Sequence, residues 1–194
     1  MRNYLLAAAA AAATMTAAPA FAQGVVGPNT GLRLEGIVGY DRARVPDQRS
    51  EGVTYGAAVG YDVQAGGAVI GAEAEVTDSN TDECTRGVRV ANDTFCSRFG
   101  RDLYVGGRVG AAVGPNSVIY GKAGYTNARL STDYSTGVIG AGTTATENLD
   151  GIRVGGGAEF GIGPNSYVKT EYRYSNYEQG VDRHQVVAGF GFRF

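Results

Sequence analysis

The chain has 194 residues, 31 of them glycine and 12 tyrosine, with no tryptophan and a formal net charge of −2. That length allows one domain of ordinary size, and the near-neutral balance leaves no basic stripe for nucleic acid. After residue 23 no run approaches the ~18 unbroken apolar residues of a spanning helix, so the mature chain can enter a membrane only as a closed barrel.

Residues 1–22 read as a signal peptide outside the fold. Arg2 gives the positive start, residues 5–13 the apolar run, and Ala20-Phe21-Ala22 an A-x-A cleavage site. Residues 23–30 form a short leader, and residues 31–194 are expected to form the single folded domain. The exported chain carries two cysteines, Cys84 and Cys96, close together in one polar stretch. An even pair in an exported protein reads as a disulfide stapling a loop. The single histidine, His184, is far from both in sequence, which weighs against a metal site.

Taken in order, the chain alternates with a period of two, the mark of strands with two unlike faces. Leu32, Leu34, Val38 and Tyr40 oppose Arg33, Glu35 and Ile37, and a charged stretch over residues 41–51 comes next as a loop. Val53, Tyr55, Val59, Tyr61 and Val63 oppose Thr54, Ala58 and Asp62, ending in a tight turn at residues 64–67. Ile70, Ala72, Ala74 and Val76 oppose Glu73, Glu75 and Thr77, before a long loop over residues 78–100. Leu103, Val105 and Val109 oppose Asp102, Tyr104 and Arg108; Ile119, Ala123 and Tyr125 oppose Tyr120, Lys122 and Thr126. A polar loop is expected over residues 130–148. Ile152, Val154 and Phe160 then oppose Arg153 and Glu159, and Val168, Tyr172 and Tyr174 oppose Lys169, Glu171 and Arg173. A short loop, residues 175–182, leads to the last strand, V-V-A-G-F-G-F-R-F, which stops at Phe194 with no polar tail.

These are about eight strands of the length a tilted membrane strand needs. Long charged loops alternate with four-residue turns, and G-P-N-[ST] recurs at Gly27, Gly114 and Gly163, each time before a strand running the same way. Proline presets φ at the second turn position and Asn tolerates the tight geometry after it, so the repeat is punctuation at one rim.

Alternation alone also fits a soluble barrel with its apolar face inward. The detail of the faces decides for lipid. The apolar face carries no charge in any strand, where Arg or Lys at the bilayer midplane costs ~2–4 kcal/mol. Aromatics gather toward strand ends, as interfacial girdles do. The opposite face is rich in glycine, which weakens a solvated strand but leaves room inside a narrow barrel. The expected fold is an all-β, eight-stranded, antiparallel up-and-down transmembrane β-barrel. Its interior set holds Arg33, Arg108, Lys122, Arg153, Lys169, Arg173 and Arg193 beside Glu35, Asp62, Glu73, Glu75, Glu159 and Glu171. Opposite charges in near-equal supply should pair and fill so narrow a lumen. The rival expectation is a narrow gated pore, in which switching of pairs opens a path.

Tyr120-Gly121-Lys122-Ala123-Gly124-Tyr125, the run G-I-R-V-G-G-G-A-E-F at residues 151–160, Lys169-Thr170-Glu171-Tyr172-Arg173-Tyr174 and the terminal G-F-G-F-R-F carry a resemblance. The chain resembles the small outer-membrane β-barrels of Gram-negative bacteria, the opacity-type and outer-membrane immunogenic proteins, related in plan to the OmpA transmembrane domain. The resemblance implies an outer-membrane location, a monomer, and recognition of Phe190, Phe192 and Phe194 by the outer-membrane assembly machinery. It also implies a structural or surface-interaction role in the cell envelope.

Candidate chemistry is sparse. His184 shares the apolar side with Val186 near a rim, where an interfacial ring is expected ahead of a catalytic base. Asp78-Ser79-Asn80-Thr81-Asp82 begins like a calcium loop, but Glu83 stands where that motif needs Gly. Arg42, Arg44, Arg49, Arg86 and Arg89 offer arginine forks that suit the phosphates of lipopolysaccharide. No G-x-S-x-G, H-E-x-x-H, C-x-x-C or P-loop is present, so neither an enzyme nor a cofactor is expected.

Overall fold

A computed structural model describes residues 27–45, 48–80, 82–86, 94–135 and 142–194. The expected signal peptide and the leader up to residue 26 lie outside the described residues. Strands β1 (Gly31–Val45), β2 (Gln48–Ala65), β3 (Ala68–Ser79), β4 (Asp82–Arg86), β5 (Thr94–Ala112), β6 (Ser117–Ser135), β7 (Gly142–Gly161), β8 (Ser166–Tyr177) and β9 (Val181–Arg193) succeed one another, with a 3-10 turn at Glu178–Gly180. Every pairing is antiparallel.

The ring closes because β3 and β4 both pair with β5 while β1 pairs with β9. β4 continues the upward course of β3 after a break near residue 80, so the barrel has the expected eight staves, the third in two pieces. At the seam the Phe194 amide donates to the Leu32 carbonyl at 2.9 Å and the Leu32 amide donates to the Phe194 carbonyl at 3.2 Å.

The long loops differ from expectation. Strands continue to Val45 and restart at Gln48, continue to Ser135 and restart at Gly142, and β5 begins at Thr94. Polar residues can pair as a ladder above the apolar belt as well as within it, because backbone groups form the hydrogen bonds. Hydrophobic alternation therefore marks where a strand meets lipid and not where it ends. A register shift between Phe99 and Asp102 of β5 falls where the strand passes from the projecting region into the belt.

The alternation itself sorts the two walls. Ile152 is 67% exposed and its neighbour Arg153 0%. Leu34, Val105, Ile119 and Phe190 face out, and Arg33, Tyr104, Tyr120 and Glu171 face in. Glycine provides inner room at definite places. A Cβ at Gly191 would stand 2.5 Å from Cζ of Tyr167, and one at Gly60 would stand 2.6 Å from Nη2 of Arg33.

Candidate functional site

The candidate site is the lumen, because the chemistry-bearing side chains meet there. Their backbones come from β1, β2, β3 and β5 to β9, and the two-residue period turns each of them inward. At the short-turn end, Arg193 stands 3.4 Å from Asp62 and 3.0 Å from Glu159, and Arg108 joins the same two carboxylates. Arg33 gathers acids from four strands: Glu35 beside it on β1, Asp62 at 2.8 Å, Glu73 at 3.1 Å and Glu159 at 3.8 Å.

Halfway up, Lys122 Nζ lies 2.6 Å from Glu73, 2.8 Å from Glu171 and 3.5 Å from Glu75. Lys169 pairs with Glu35 and stands 3.7 Å from Glu171. Higher still, Arg173 bridges Glu171 and Glu75, and Arg153 links Glu75 at 3.3 Å to Asp102. Arg183 completes the column, 2.9 Å from Asp102 and paired with Asp41. Each ion shares a partner with the next, so one unbroken network runs from Arg193 to Asp41.

Tyrosines fill the gaps between the ions. Tyr167 donates its hydroxyl to Glu35 at 2.6 Å, Tyr120 to Glu171 at 2.5 Å and Tyr177 to Asp102 at 2.9 Å. Cations sit over their rings: Arg108 is 4.6 Å from the Tyr120 centroid and Lys122 4.7 Å from that of Tyr104. Buried ions are tolerated only when paired and hydrogen-bonded, and here each buried cation has at least one carboxylate.

The two mouths differ. At the long-loop end an apolar cluster of Ala43, Ala128, Leu149, Tyr177 and Val181 sits above the last ion pairs. At the other end all three G-P-N turns line one pocket of about 160 Å³, with Glu159 and Arg193 in its wall. The turn asparagines are tied down there: Asn29 accepts from Arg193 at 2.9 Å, and Asn165 donates to the Arg193 carbonyl at 2.9 Å.

All thirteen charged side chains expected inside lie in this column. Asp41, Asp102 and Arg183 belong to it as well, beyond the interior set expected from the sequence. Asp41 falls in an expected loop, as does the approach to Arg183, because the apolar face fades before the strand does. Extending the period of two from Arg33 and Glu35 reaches Asp41, and stepping back from Arg193 reaches Arg183.

Other candidates fall elsewhere. His184 faces outward at the rim, with the Tyr172 hydroxyl 2.7 Å from its Nδ1 and the Tyr174 ring 5.0 Å away. Asp78 and Ser79, which resemble the start of a calcium loop, are the last residues of β3, and Ser79 donates to Asp41 at 2.9 Å. Arg42 pairs with Glu51 at 2.7 Å across the first projecting hairpin. The Tyr40 hydroxyl and Arg42 both donate to Glu51 and hold its carboxyl below the usual range. The side chains of Arg44, Arg49, Arg86 and Arg89 lie outside the described residues. Cys84 and Cys96 are directly opposite one another in the β4–β5 backbone register. Phe190, Phe192 and Phe194 line the outer wall beside the seam.

The family model described as "Outer membrane protein beta-barrel domain" matches residues 7–194. The chain belongs to that family. It is an outer-membrane β-barrel, so its short turns face the periplasm and its long hairpins the outside.

Among solved structures, the chain is similar to Ail, the attachment invasion locus protein of Yersinia pestis, crystallised with the heparin analogue sucrose octasulfate. The TM-score is 0.58 at 16% identity, over 84% of this chain and 99% of that one. It is also similar to Neisserial surface protein A, with a TM-score of 0.60 at 14% identity, over 85% of this chain and 98% of the other. At such identities the likeness is one of fold. No curated protein matches the sequence.

Proposed function

We propose that this outer-membrane barrel is a closed scaffold: its lumen is plugged by paired charges, and it acts in envelope integrity and by displaying its outer hairpins. The observation that carries this reading is the continuous ion network from Arg193 to Asp41, overlain by the apolar cluster around Leu149. A passing solute would have to separate several buried pairs at once, and parting even one leaves an uncompensated charge.

The scaffold carries no catalytic group and no cofactor, and His184 serves as an interfacial ring. Cys84 and Cys96 form a disulfide that staples β4 to β5 above the membrane, since opposed strand positions bring Cα atoms to the ~5 Å separation a disulfide spans. Residues 1–22 are removed on export. Phe190, Phe192 and Phe194 are read by the assembly machinery as the seam is closed, and the rim arginines touch lipopolysaccharide phosphates around a monomer. The surface-interaction role agrees with the attachment protein Ail, which shares the fold.

Planar-bilayer recording on the purified, folded barrel tests the plug. The expected trace is silent; large, stable conductance steps would overturn the closed scaffold in favour of the narrow gated pore.

A further inference from the structure

A hollow interrupts the lipid-facing wall where β9, β1 and β2 run side by side. It is an open groove of about 840 Å³, within the ~300–1,000 Å³ of an ordinary ligand pocket. Its floor is small: Gly36 stands opposite Ala57 on β2, and Ala188 faces outward one step higher on β9. Its walls are large. Tyr55 rises on one side, and Phe190 and Phe192, packed edge to face with ring centroids 5.0 Å apart, rise on the other.

Interior packing does not call for glycine at Gly36. A Cβ at Gly39 would stand 2.4 Å from the Val186 carbonyl oxygen, whereas one at Gly36 would meet nothing within 4 Å. Glycine weakens a strand, and where packing does not require it, it marks the close approach of a ligand or another backbone. Above the hollow, on the same three strands, the outward side chains turn polar: Arg42 stands opposite Glu51 and His184. Glu51 engages Nε and Nη2 of Arg42, on a fork that carries five donors. Below the hollow, Leu32, Tyr61, Val63 and Phe194 face outward and carry no charged side chain. Arg42 and Gly36 lie ~20 Å apart along β1 at ~3.4 Å per residue. With the strand tilted by ~40°, that is ~15 Å of depth, half of a ~30 Å hydrocarbon core.

We infer that the hollow seats the distal end of one acyl chain of an outer-leaflet lipopolysaccharide whose phosphate lies at Arg42. This rests on the proposed contact between the rim arginines and lipopolysaccharide phosphates, and it adds the chain that such a molecule sends down the wall. The occupant follows from where the hollow opens. The wall is bathed in lipid, and the charged fork above the hollow stands on the outer side, so the headgroup enters from there. A phospholipid of the periplasmic leaflet meets no charged side chain at its own end of these strands. A second copy of this chain fits less well, because a two-fold axis through the hollow sets it against its own image and leaves both unfilled. A chain end in the hollow touches the bare backbone at Gly36 and both Phe rings, contact that a chain crossing a flat wall forgoes.

The test uses the full barrel in nanodiscs of deuterated phosphatidylethanolamine, with lipopolysaccharide added as the probe. The barrel is deuterated except at its alanine methyl groups, so that nuclear Overhauser contacts to acyl protons report lipopolysaccharide alone. The expected contacts come from Ala57 and Ala188 and are missing from Ala72 and Ala123, which face lipid on other strands. Gly36→Leu fills the hollow. Lipid accepts an apolar side chain there, so the barrel should fold as before, but lipopolysaccharide retention in native mass spectrometry should weaken about tenfold, the worth of roughly two buried methylenes. Gly107→Leu, outward on β5, is the control and should retain lipopolysaccharide as the unaltered barrel does. Equal contacts at all these alanines, or equal loss in both leucine variants, overturns the proposal. So does Gly36-dependent retention of phosphatidylethanolamine in place of lipopolysaccharide, which gives the hollow to a phospholipid, or a barrel dimer that Gly36→Leu dissociates, which gives it to a second copy. Retention weakened by Arg42→Ala but not by Gly36→Leu removes the chain seat and leaves the rim contact standing, whereas retention weakened by neither removes both.

Discussion

Ile152 and Arg153 are neighbours in the chain and opposites in environment, one on the lipid wall and the other sealed in the lumen. The outer wall asks only that a residue be apolar, because lipid tails do not discriminate among aliphatic shapes. The inner wall asks for particular charges at particular heights, since every ion there depends on a partner from another strand. The contrast teaches that one period-two pattern encodes two different kinds of specificity: composition on one side, complementarity on the other.

The strongest way to break the inner wall is to remove its most connected member. Arg33→Met takes one cationic partner at once from Glu35, Asp62, Glu73 and Glu159. Urea unfolding of the barrel in lipid vesicles is expected to show a loss of about 3–5 kcal/mol, the cost of removing one partner from buried ion pairs. The outer wall is broken by the reverse substitution. Val105→Arg near mid-belt should cost about 2–4 kcal/mol in the same assay, and Val113→Arg beside the periplasmic turn about 0–1 kcal/mol. Equal costs at the two positions would mean that Val105 does not face lipid.

A finer pair sharpens the inner wall. Tyr167→Phe removes a donor from Glu35, and about 1–3 kcal/mol should be lost. Tyr104→Phe removes a buried hydroxyl that has no hydrogen-bond partner, and stability should hold or rise slightly.

The smallest effect belongs outside both walls, at Glu51. Its carboxyl, lowered by donation from Tyr40 and Arg42, should titrate in carbon-detected NMR below the usual midpoint of a glutamate, and Tyr40→Phe should move it back upward. A lowered folded value means that its stabilising contribution is complete above the unfolded carboxylate's pKa and fades as pH falls through the lowered one. The group is fully exposed, so the unfolding midpoint should scarcely change across that window.

Most of the barrel is legible in the sequence for a physical reason. Lipid rejects charge so strongly that the outer face of each spanning strand has to declare itself, and Leu34, Val105 and Phe190 do so. The inward ions then fall into place by parity. Two things are not legible. The reach of the strands beyond lipid leaves no apolar trace, so Asp41 and the approach to Arg183 look like loop although both ions close the top of the column. Pairing itself is also hidden: nothing in the local sequence tells Arg153 to choose Asp102, some fifty positions away, because that choice depends on where the curved sheet brings opposite staves together.

The position of Arg33 has a bearing on how such a protein can change over generations. A guanidinium answering to carboxylates on β1, β2, β3 and β7 ties four distant stretches of sequence to one another. Lineages should exchange aliphatic residues on the lipid side almost at will, one codon at a time, while the ionic interior moves rarely and in matched sets. Divergence among descendants of this barrel would then be lopsided, a fast exterior wrapped around a slow heart.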